Sequence, residues 1–376
     1  MQPLANLAGR GARLSAPRPD ELEISVFGPG YGESIAVHLG DGRWMIVDSC
    51  IDNRSERPAA LEYFGDIDVS CEDQVAIVLA THWHDDHIRG LAEILRACST
   101  ARFACSHAFS TREFLLLVES PALGTEQLPA GLREFAEILA ILKERRAAGN
   151  LLLGTPELVN QKTVLDQSAR CEVMSLSPSS ATVMEAVQAF ATLLPEPSQP
   201  MKCVPSPKAN EGSVALWVCG ASGVALLGAD LERNSKDDRG WGAVLGCAPL
   251  MKGRASLVKV PHHGSSTGHD QRMWDELLVS QPHAMLTPWE LGGRHVPDAA
   301  DRDRICALAP AAVIAGDTVA KLDRYQPAVE RTLREATISR QAAIGRTGHI
   351  RARCTPSDKG QWRVDLIHNS QRLCAA

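Results

Sequence analysis

The sequence predicts an α/β protein, and three observations carry that reading. Short apolar runs rich in β-branched residues, such as Val75-Ala76-Ile77-Val78-Leu79-Ala80, recur along the chain with the length and composition of buried strands. Between them, residues 129–146 place Leu132, Phe135, Ala136, Leu139 and Leu142 at three- and four-residue spacing, the stripe of an amphipathic helix. Groups able to bind metals or move protons cluster just past the apolar runs, where a sheet holds side chains at a solvent-facing edge. A chain of 376 residues with 44% hydrophobic content can bury a large core. We expect a flexible tail over 1–19 and one domain over 20–376, with a C-terminal extension.

The elements follow in order. Residues 1–19 mix Gly, Ala, Arg and Pro without periodicity. A strand over 21–27 leads into the turn Gly28-Pro29-Gly30-Tyr31-Gly32. Strands over 33–39 and 43–47 are joined by Gly40-Asp41-Gly42, a strong hairpin signal. Asp48 ends the third strand. The run 75–80 delivers Thr81-His82-Trp83-His84-Asp85-Asp86-His87. A helix is expected over 91–97, a strand over 101–105, and helices over 111–119 and 129–146, with Pro129 suited to a first turn. A strand over 171–176 ends at Ser177-Pro178, and the prolines of 192–211 make that stretch an irregular loop. Strands over 213–219 and 224–228 form a hairpin about Gly220-Ala221-Ser222-Gly223, followed by Asp230. The strand over 255–260 runs into Pro261-His262-His263-Gly264-Ser265-Ser266. Strands over 348–353 and 362–367 form a closing hairpin that extends the sheet.

Composition narrows the class. No apolar run approaches the ~20 residues that span a membrane, and the first twenty residues lack the apolar segment of a secretory signal. Eleven cysteines are scattered without a CxxC pair. Cys50, Cys105, Cys171, Cys203, Cys219 and Cys247 mostly lie in or beside apolar runs and read as small buried hydrophobes of a reducing cytoplasm. A net charge of −6 argues against strong non-specific nucleic-acid binding by the whole surface, and leaves room for a local basic cleft.

Three histidines and two aspartates lie between residues 82 and 87. Neutral imidazole with carboxylate suits Zn²⁺ or a similar divalent ion. In an extended segment His82 and His84 point the same way and reach one ion, while Asp86 and His87 turn past them towards a second. A polar surface loop would not carry this density of ligands. Asp230 reads either as a helix N-cap or as a carboxylate shared by two ions. Asp48 reads as a strand terminus, or as a group orienting the metal loop from behind.

His-x-His-x-Asp-His after a buried strand resembles the signature of the metallo-β-lactamase superfamily. Gly30, Gly32, Glu33 and Ser34 are similar to the Gly-x-Gly-Asp/Glu-Ser opening of its DNA-uptake (competence) branch. Leu226-Leu227-Gly228-Ala229-Asp230 resembles the strand that carries the bridging Asp, with Ala229 intervening. His262-His263-Gly264-Ser265 resembles the His-His-Gly-Ser of competence-type hydrolases and phosphocholine esterases. Thr287-Pro288 and Arg294-His295-Val296-Pro297 more weakly resemble a later Gly-His-Pro element. The resemblance runs from residue 21 to about 320 and implies a four-layer αββα sandwich of two mixed β-sheets. It implies two Zn²⁺, with Mn²⁺ as the alternative, held by His82, His84, Asp86, His87, Asp230 and His263. A hydroxide shared by the ions would be the nucleophile, Asp86 would orient it, and His262, helped by Ser265, Arg294 or His295, would steady the phosphate. Asp48 would stand behind the ligands.

The chain departs from that pattern twice. Arg89 replaces a glycine, and either contacts an anionic substrate or pairs with a surface carboxylate. His107 is the one histidine between the first motif and Asp230; it is an extra ligand or a surface histidine, and in the second case His82, His84, Asp230 and water hold the first ion. The implied function is a metal-dependent phosphodiesterase or nuclease acting on DNA or a nucleotide. The alternatives are a hydrolase of a small phosphodiester, ester or lactam, and a non-catalytic metal-stabilised interaction module. Di-iron redox members carry Glu in the first motif, where this chain has His84.

Overall fold

The computed structural model describes residues 5–6, 14–118, 130–193, 209–247, 251–316 and 346–374. The short edge strand β1 (Ala5–Asn6) precedes a meander of β2 (Leu22–Gly28), β3 (Ser34–Gly40) and β4 (Arg43–Val47). Gly40, Asp41 and Gly42 all take positive φ, as the tight β3–β4 turn requires. Then come α1 (Ala59–Asp66), α2 (Cys71–Gln74), β5 (Val75–Ala80), the one-turn α3 (Asp85–Ile88), α4 (Leu91–Ala97), β6 (Arg102–Ser106), α5 (Arg112–Val118), α6 (Ala130–Ala147) and β7 (Glu157–Val159). The second half holds β8 (Val164–Gln167), β9 (Cys171–Ser175), α7 (Ser180–Leu193), β10 (Leu216–Gly220), β11 (Val224–Leu227), α8 (Gly240–Leu245), β12 (Ala255–Lys259) and β13 (Leu278–Leu286). A ribbon of β14 (Trp289–Leu291) and β15 (Arg294–Val296), then α9 (Ala299–Leu308), β16 (Val313–Ile314), β17 (Gly348–Cys354), β18 (Arg363–Ile367) and β19 (Gln371–Arg372) complete the described chain.

One sheet has the order β1-β18-β17-β2-β3-β4-β5-β6-β7 and the other β19-β16-β13-β12-β11-β10-β9-β8. Side-chain alternation sorts the strands into layers. Met45, Val47, Ile77 and Leu79 face Leu216, Val218, Leu257 and Met285 of the other sheet. Ile46 and Val78, one residue out of phase, face away into a cluster with Phe64 of α1, Leu91 and Ile94 of α4, and Phe135 of α6. On the far side, Trp217, Leu226 and Val258 pack on Trp241 of α8 and Ile305 of α9. The layers are helix, sheet, sheet, helix: the expected αββα sandwich.

Both sheets are mixed, and their parallel halves determine where chemistry collects. β4, β5, β6 and β7 run parallel, as do β11, β12, β13 and β16. The carboxyl ends of β4, β5, β11, β12 and β13 therefore open together, and the candidate ligands follow those ends.

Several elements differ from expectation. α1, α7, α9 and β13 went unread: α1 contains Gly65, β13 contains Ser280, Gln281 and Pro282, and tertiary packing rather than local pattern decides both. Within the expected tail, Ala5–Asn6 pairs in parallel with β18. The expected loop over 192–211 is helical at its start and forms a 3-10 turn over Ala209–Gly212; residues 194–208, with Cys203, lie outside the described residues. Cys50, Cys105, Cys171 and Cys247 are buried thiols and Cys219 is half-buried, but Cys306 and Cys374 form a disulfide, which the expectation of a fully reduced chain did not include. Among the described residues no helix is long and apolar enough to cross a membrane.

Candidate metal centre

The site is built by loops with unusual backbone. Asp48 leaves β4 in the left-handed region, with φ 57°. Its amide donates to Leu79 O, and its carboxylate reaches across to the next strand end. There Asp48 Oδ1 accepts from Thr81 N at 2.7 Å, and Oδ2 from Thr81 Oγ1 at 2.6 Å. His84 caps the single turn that presents Asp86 and His87. The glycine turn after β2 packs on this loop: Glu33 N donates to Asp86 O, and a Cβ on Gly32 would stand 3.1 Å from that oxygen. Opposite, Ala229 is left-handed at φ 44°, and its carbonyl accepts from Lys259 Nζ and His262 N. His262 and His263 are left-handed too, at φ 48° and 53°, and both side chains line one cleft. In a strand, adjacent residues would have diverged.

Hydrogen bonds assign the imidazole tautomers, on one premise: an ionised carboxylate only accepts. Thr81 Oγ1 spends its proton on Asp48, so it accepts from His82 Nδ1 at 3.0 Å. His87 Nδ1 donates to Asp48 Oδ2 at 2.8 Å. Thr287 Oγ1 spends its proton on Glu33 Oε2 at 2.6 Å, so it accepts from His263 Nδ1 at 2.9 Å. All three rings thus carry hydrogen on Nδ1, and Nε2 is the nitrogen each turns towards the others. All three Nε2 atoms are buried without a hydrogen-bond partner, as is Asp230 Oδ1. Buried polar atoms are rarely left so.

These orphans face one another. His87 Nε2 is 3.3 Å from Asp230 Oδ1; His263 Nε2 is 3.6 Å from Asp230 Oδ2 and 3.5 Å from Asp86 Oδ2. Asp86, His87, Asp230 and His263 each offer an atom within 4.8 Å of the others. His82 Nε2 lies 3.9 Å from Asp230 Oδ2, so Asp230 stands between the two histidine groups. The rings of His82 and His84 are 4.8 Å apart. Charge is divided within the cluster. Burial holds His82 well below the ordinary imidazole range and lowers His84, as lone-pair donors require. Burial opposes charging of His87, yet Asp230 and Asp48 outweigh it and raise its pKa well above normal. Burial likewise works against Asp230, but the His87 and His263 charges pull it well below the usual carboxylate range. The carboxylates call for positive charge at this point, and a divalent cation suits the donors.

A cleft of about 330 Å³ opens over the cluster, lined in part by His84, Asp86, Asp230, His262 and His263, with Tyr31, Trp83 and Trp289 as aromatic walls. His262 is half-buried there; its Nδ1 meets Thr267 Oγ1 at 2.7 Å and lies 3.1 Å from Glu232 Oε1. The structure therefore brings together His82, His84, Asp86, His87, Asp230, His262 and His263, with Asp48 behind them. It does not bring in the rest. His107 Nδ1 meets Asn160 Nδ2 at 2.8 Å and is neither in the cluster nor on the cleft wall. Ser265 closes its own turn with Thr267 N. His295 pairs with Glu290 across the β14–β15 ribbon, and Arg294 is exposed. Arg89 is exposed on a second, neighbouring cleft. Sequence reasoning gave no role to Thr81, Thr287, Asn210 or the buried pair Glu33–Lys259, 2.6 Å apart. A lysine inside the apolar run of β12 was the available signal.

Residues 27–135 match the model of the metallo-beta-lactamase superfamily, a span that includes the first histidine motif. The match is to that superfamily as a whole and does not single out the competence branch. None of the curated proteins matches the sequence. Similar solved structures include the metallo-beta-lactamase fold protein YhfI from Bacillus subtilis, 13% identical, covering 78% of this chain and 95% of its own, with a TM-score of 0.38. Another is MEM-A1, a subclass B3 metallo-beta-lactamase from a soil metagenome library, 14% identical, covering 69% and 83%, with a TM-score of 0.35. A third is CmlA, a diiron beta-hydroxylase from Streptomyces venezuelae, 14% identical, covering 65% and 35%, with a TM-score of 0.33.

Proposed function

We propose that this chain is a metal-dependent hydrolase that cleaves a phosphodiester. The observation that carries the reading is the set of three buried Nε2 atoms, none with a hydrogen-bond partner, converging on Asp230. Asp86, His87 and His263 would hold one divalent cation, His82 and His84 the other, with Asp230 shared; Zn²⁺ or Mn²⁺ fits these donors. When bound, the cations supply Lewis acidity and lower the pKa of water from 15.7 towards ~7. The chain's own residues do the rest. Asp48, Thr81 and Thr287 fix the ring orientations. His262 presents Nε2 4.0 Å from Asp230 Oδ2, with Glu232 behind its other nitrogen and Asn210 Nδ2 3.2 Å from Nε2, so on releasing Asn210 it can accept a proton in the cleft and return it to the leaving oxygen.

Charge favours an anionic substrate. Glu33 is neutralised by Lys259, leaving Asp86 and Asp230 as the buried negative ligands, so two divalent ions make the cleft floor cationic. No Lys or Arg is among the described residues lining this cleft, and aromatic walls flank it. That favours a short diester with a flat substituent, such as a nucleotide, over a duplex held along its backbone. The test is hydrolysis of bis-p-nitrophenyl phosphate by chelator-treated protein with added Zn²⁺ or Mn²⁺. Metal-dependent turnover that disappears in His84→Ala is expected. Tight metal binding without turnover of this ester, a nucleotide diester or DNA would favour the interaction-module reading.

A further inference from the structure

Two clefts meet at the cluster. The one over the candidate ligands has Tyr31, Trp83 and Trp289 as aromatic walls, whereas its neighbour, of about 280 Å³, is lined largely by polar side chains. Tyr31, Asp85 and Asp86 line both, so the ridge between the clefts carries a candidate metal ligand. A phosphate seated beside Asp86 would have one ester arm on either side of that ridge. The aromatic side suits a flat arm; the second cleft faces the other arm.

The lining of the second cleft narrows what that arm can be. Asp52, Glu56 and Asp85 offer carboxylates and Arg89 a guanidinium. Arg89 is exposed, and among the described residues no carboxylate pairs with it. Asp52 is held in place by the amides of Arg54, Ser55 and Thr347, which donate to its carboxylate. Ser49 lines the same cleft although fully buried, and its hydroxyl has no hydrogen-bond partner. An anionic arm would face the three carboxylates, and a cationic arm would face Arg89. An apolar arm would strip water from all four charged groups and return no hydrogen bond. A hydroxyl donates to a carboxylate and accepts from a guanidinium, so a neutral hydroxylated arm satisfies both kinds of partner.

We propose that the second cleft is a subsite for a hydroxylated arm of the ester, such as a glyceryl or sugar group, with Arg89 as the residue that selects it. This rests on the phosphodiesterase reading and adds to it that the substrate is unsymmetrical, flat on one side of the phosphate and hydroxylated on the other. Arg89, which stands where the resemblance expects a glycine, thereby acquires a role at the site's edge.

A pair of p-nitrophenyl diesters with the same leaving group, one with a glyceryl arm and one with a propyl arm, tests this on the full chain loaded with Zn²⁺ or Mn²⁺. In the wild type the glyceryl ester should have a KM at least ~10-fold below that of the propyl ester. Arg89→Ala should bring the ratio of the two close to one, and Arg89→Lys should keep part of it. The ratio is read within one protein sample, so damage to the fold does not imitate its loss. Binding of glycerol phosphate and propyl phosphate, followed by calorimetry, should show the same preference without turnover. Equal binding of this pair or none, or a preference that Arg89→Ala leaves intact, would overturn the subsite. Preferential binding of glycerol phosphate with no cleavage of either diester would overturn the phosphodiesterase reading and leave the subsite standing.

Discussion

Lys259 is fully buried, 2.6 Å from Glu33 Oε1, and donates to Ala229 O at 3.0 Å. Glu33 continues through Thr287 to His263, so one chain of contacts joins the glycine turn, two strand ends and a candidate ligand. Removing one member of a buried pair strands the other's charge, at a cost of roughly 3–5 kcal/mol. Lys259→Met should lose that much in urea denaturation, and adding Glu33→Gln should recover part of it; additive losses would show that the two do not act together. Thr287→Val should leave the fold largely intact but free the His263 ring, lowering metal affinity by about 10–100-fold, while Thr287→Ser should keep it. At this scale the residues that gather at the candidate metal centre were legible, because imidazoles and carboxylates crowd together there. The sequence hid their supports. Lys259 reads as a flaw in an apolar strand until Glu33, far away in the chain, is seen beside it, and Thr81 and Thr287 reveal no role without their partners. Arg294, His295 and Ser265 sit near the motifs in sequence yet face other neighbours.

At the scale of elements, strands bounded by turn residues were legible nearly to the residue, as β4 and β5 show, whereas β13 and α1 depend on what covers them. The closing hairpin β17–β18 was legible, and β17 pairs with β2 along its whole length. That pairing buries His349, whose Nε2 donates to Ser25 Oγ at 2.9 Å while Ser25 donates to Glu23. Burial, then Arg351, His368 and Arg353, hold His349 well below the ordinary imidazole range. The unfolded chain therefore binds this proton near pH 6.5 and the folded chain does not, so stability rises with pH through that window and falls on acidification. Denaturation of chelator-treated protein between pH 8 and 5 should show this loss, to which His82 also contributes, and His349→Gln should reduce the slope. An identical slope in the variant would remove His349 from the account.

On the scale of the molecule, the edge that carries the candidate site exists because two mixed sheets pack face to face with their parallel halves opening together. No single segment of sequence states this. Four motifs in order imply it only through resemblance, and the spacing between them is silent about distance in space. The whole chain carries a net charge of −6, and no Lys or Arg is among the described residues of the cleft, so on the proposed reading bound cations would supply its attraction for an anion. Everything proposed for function descends from that centre. Elemental analysis of protein purified without chelator measures it most directly. The account predicts about two divalent ions per chain, with a reduced content in Asp230→Ala. A folded wild-type chain that holds no divalent metal, even after dialysis against Zn²⁺ or Mn²⁺, would contradict it.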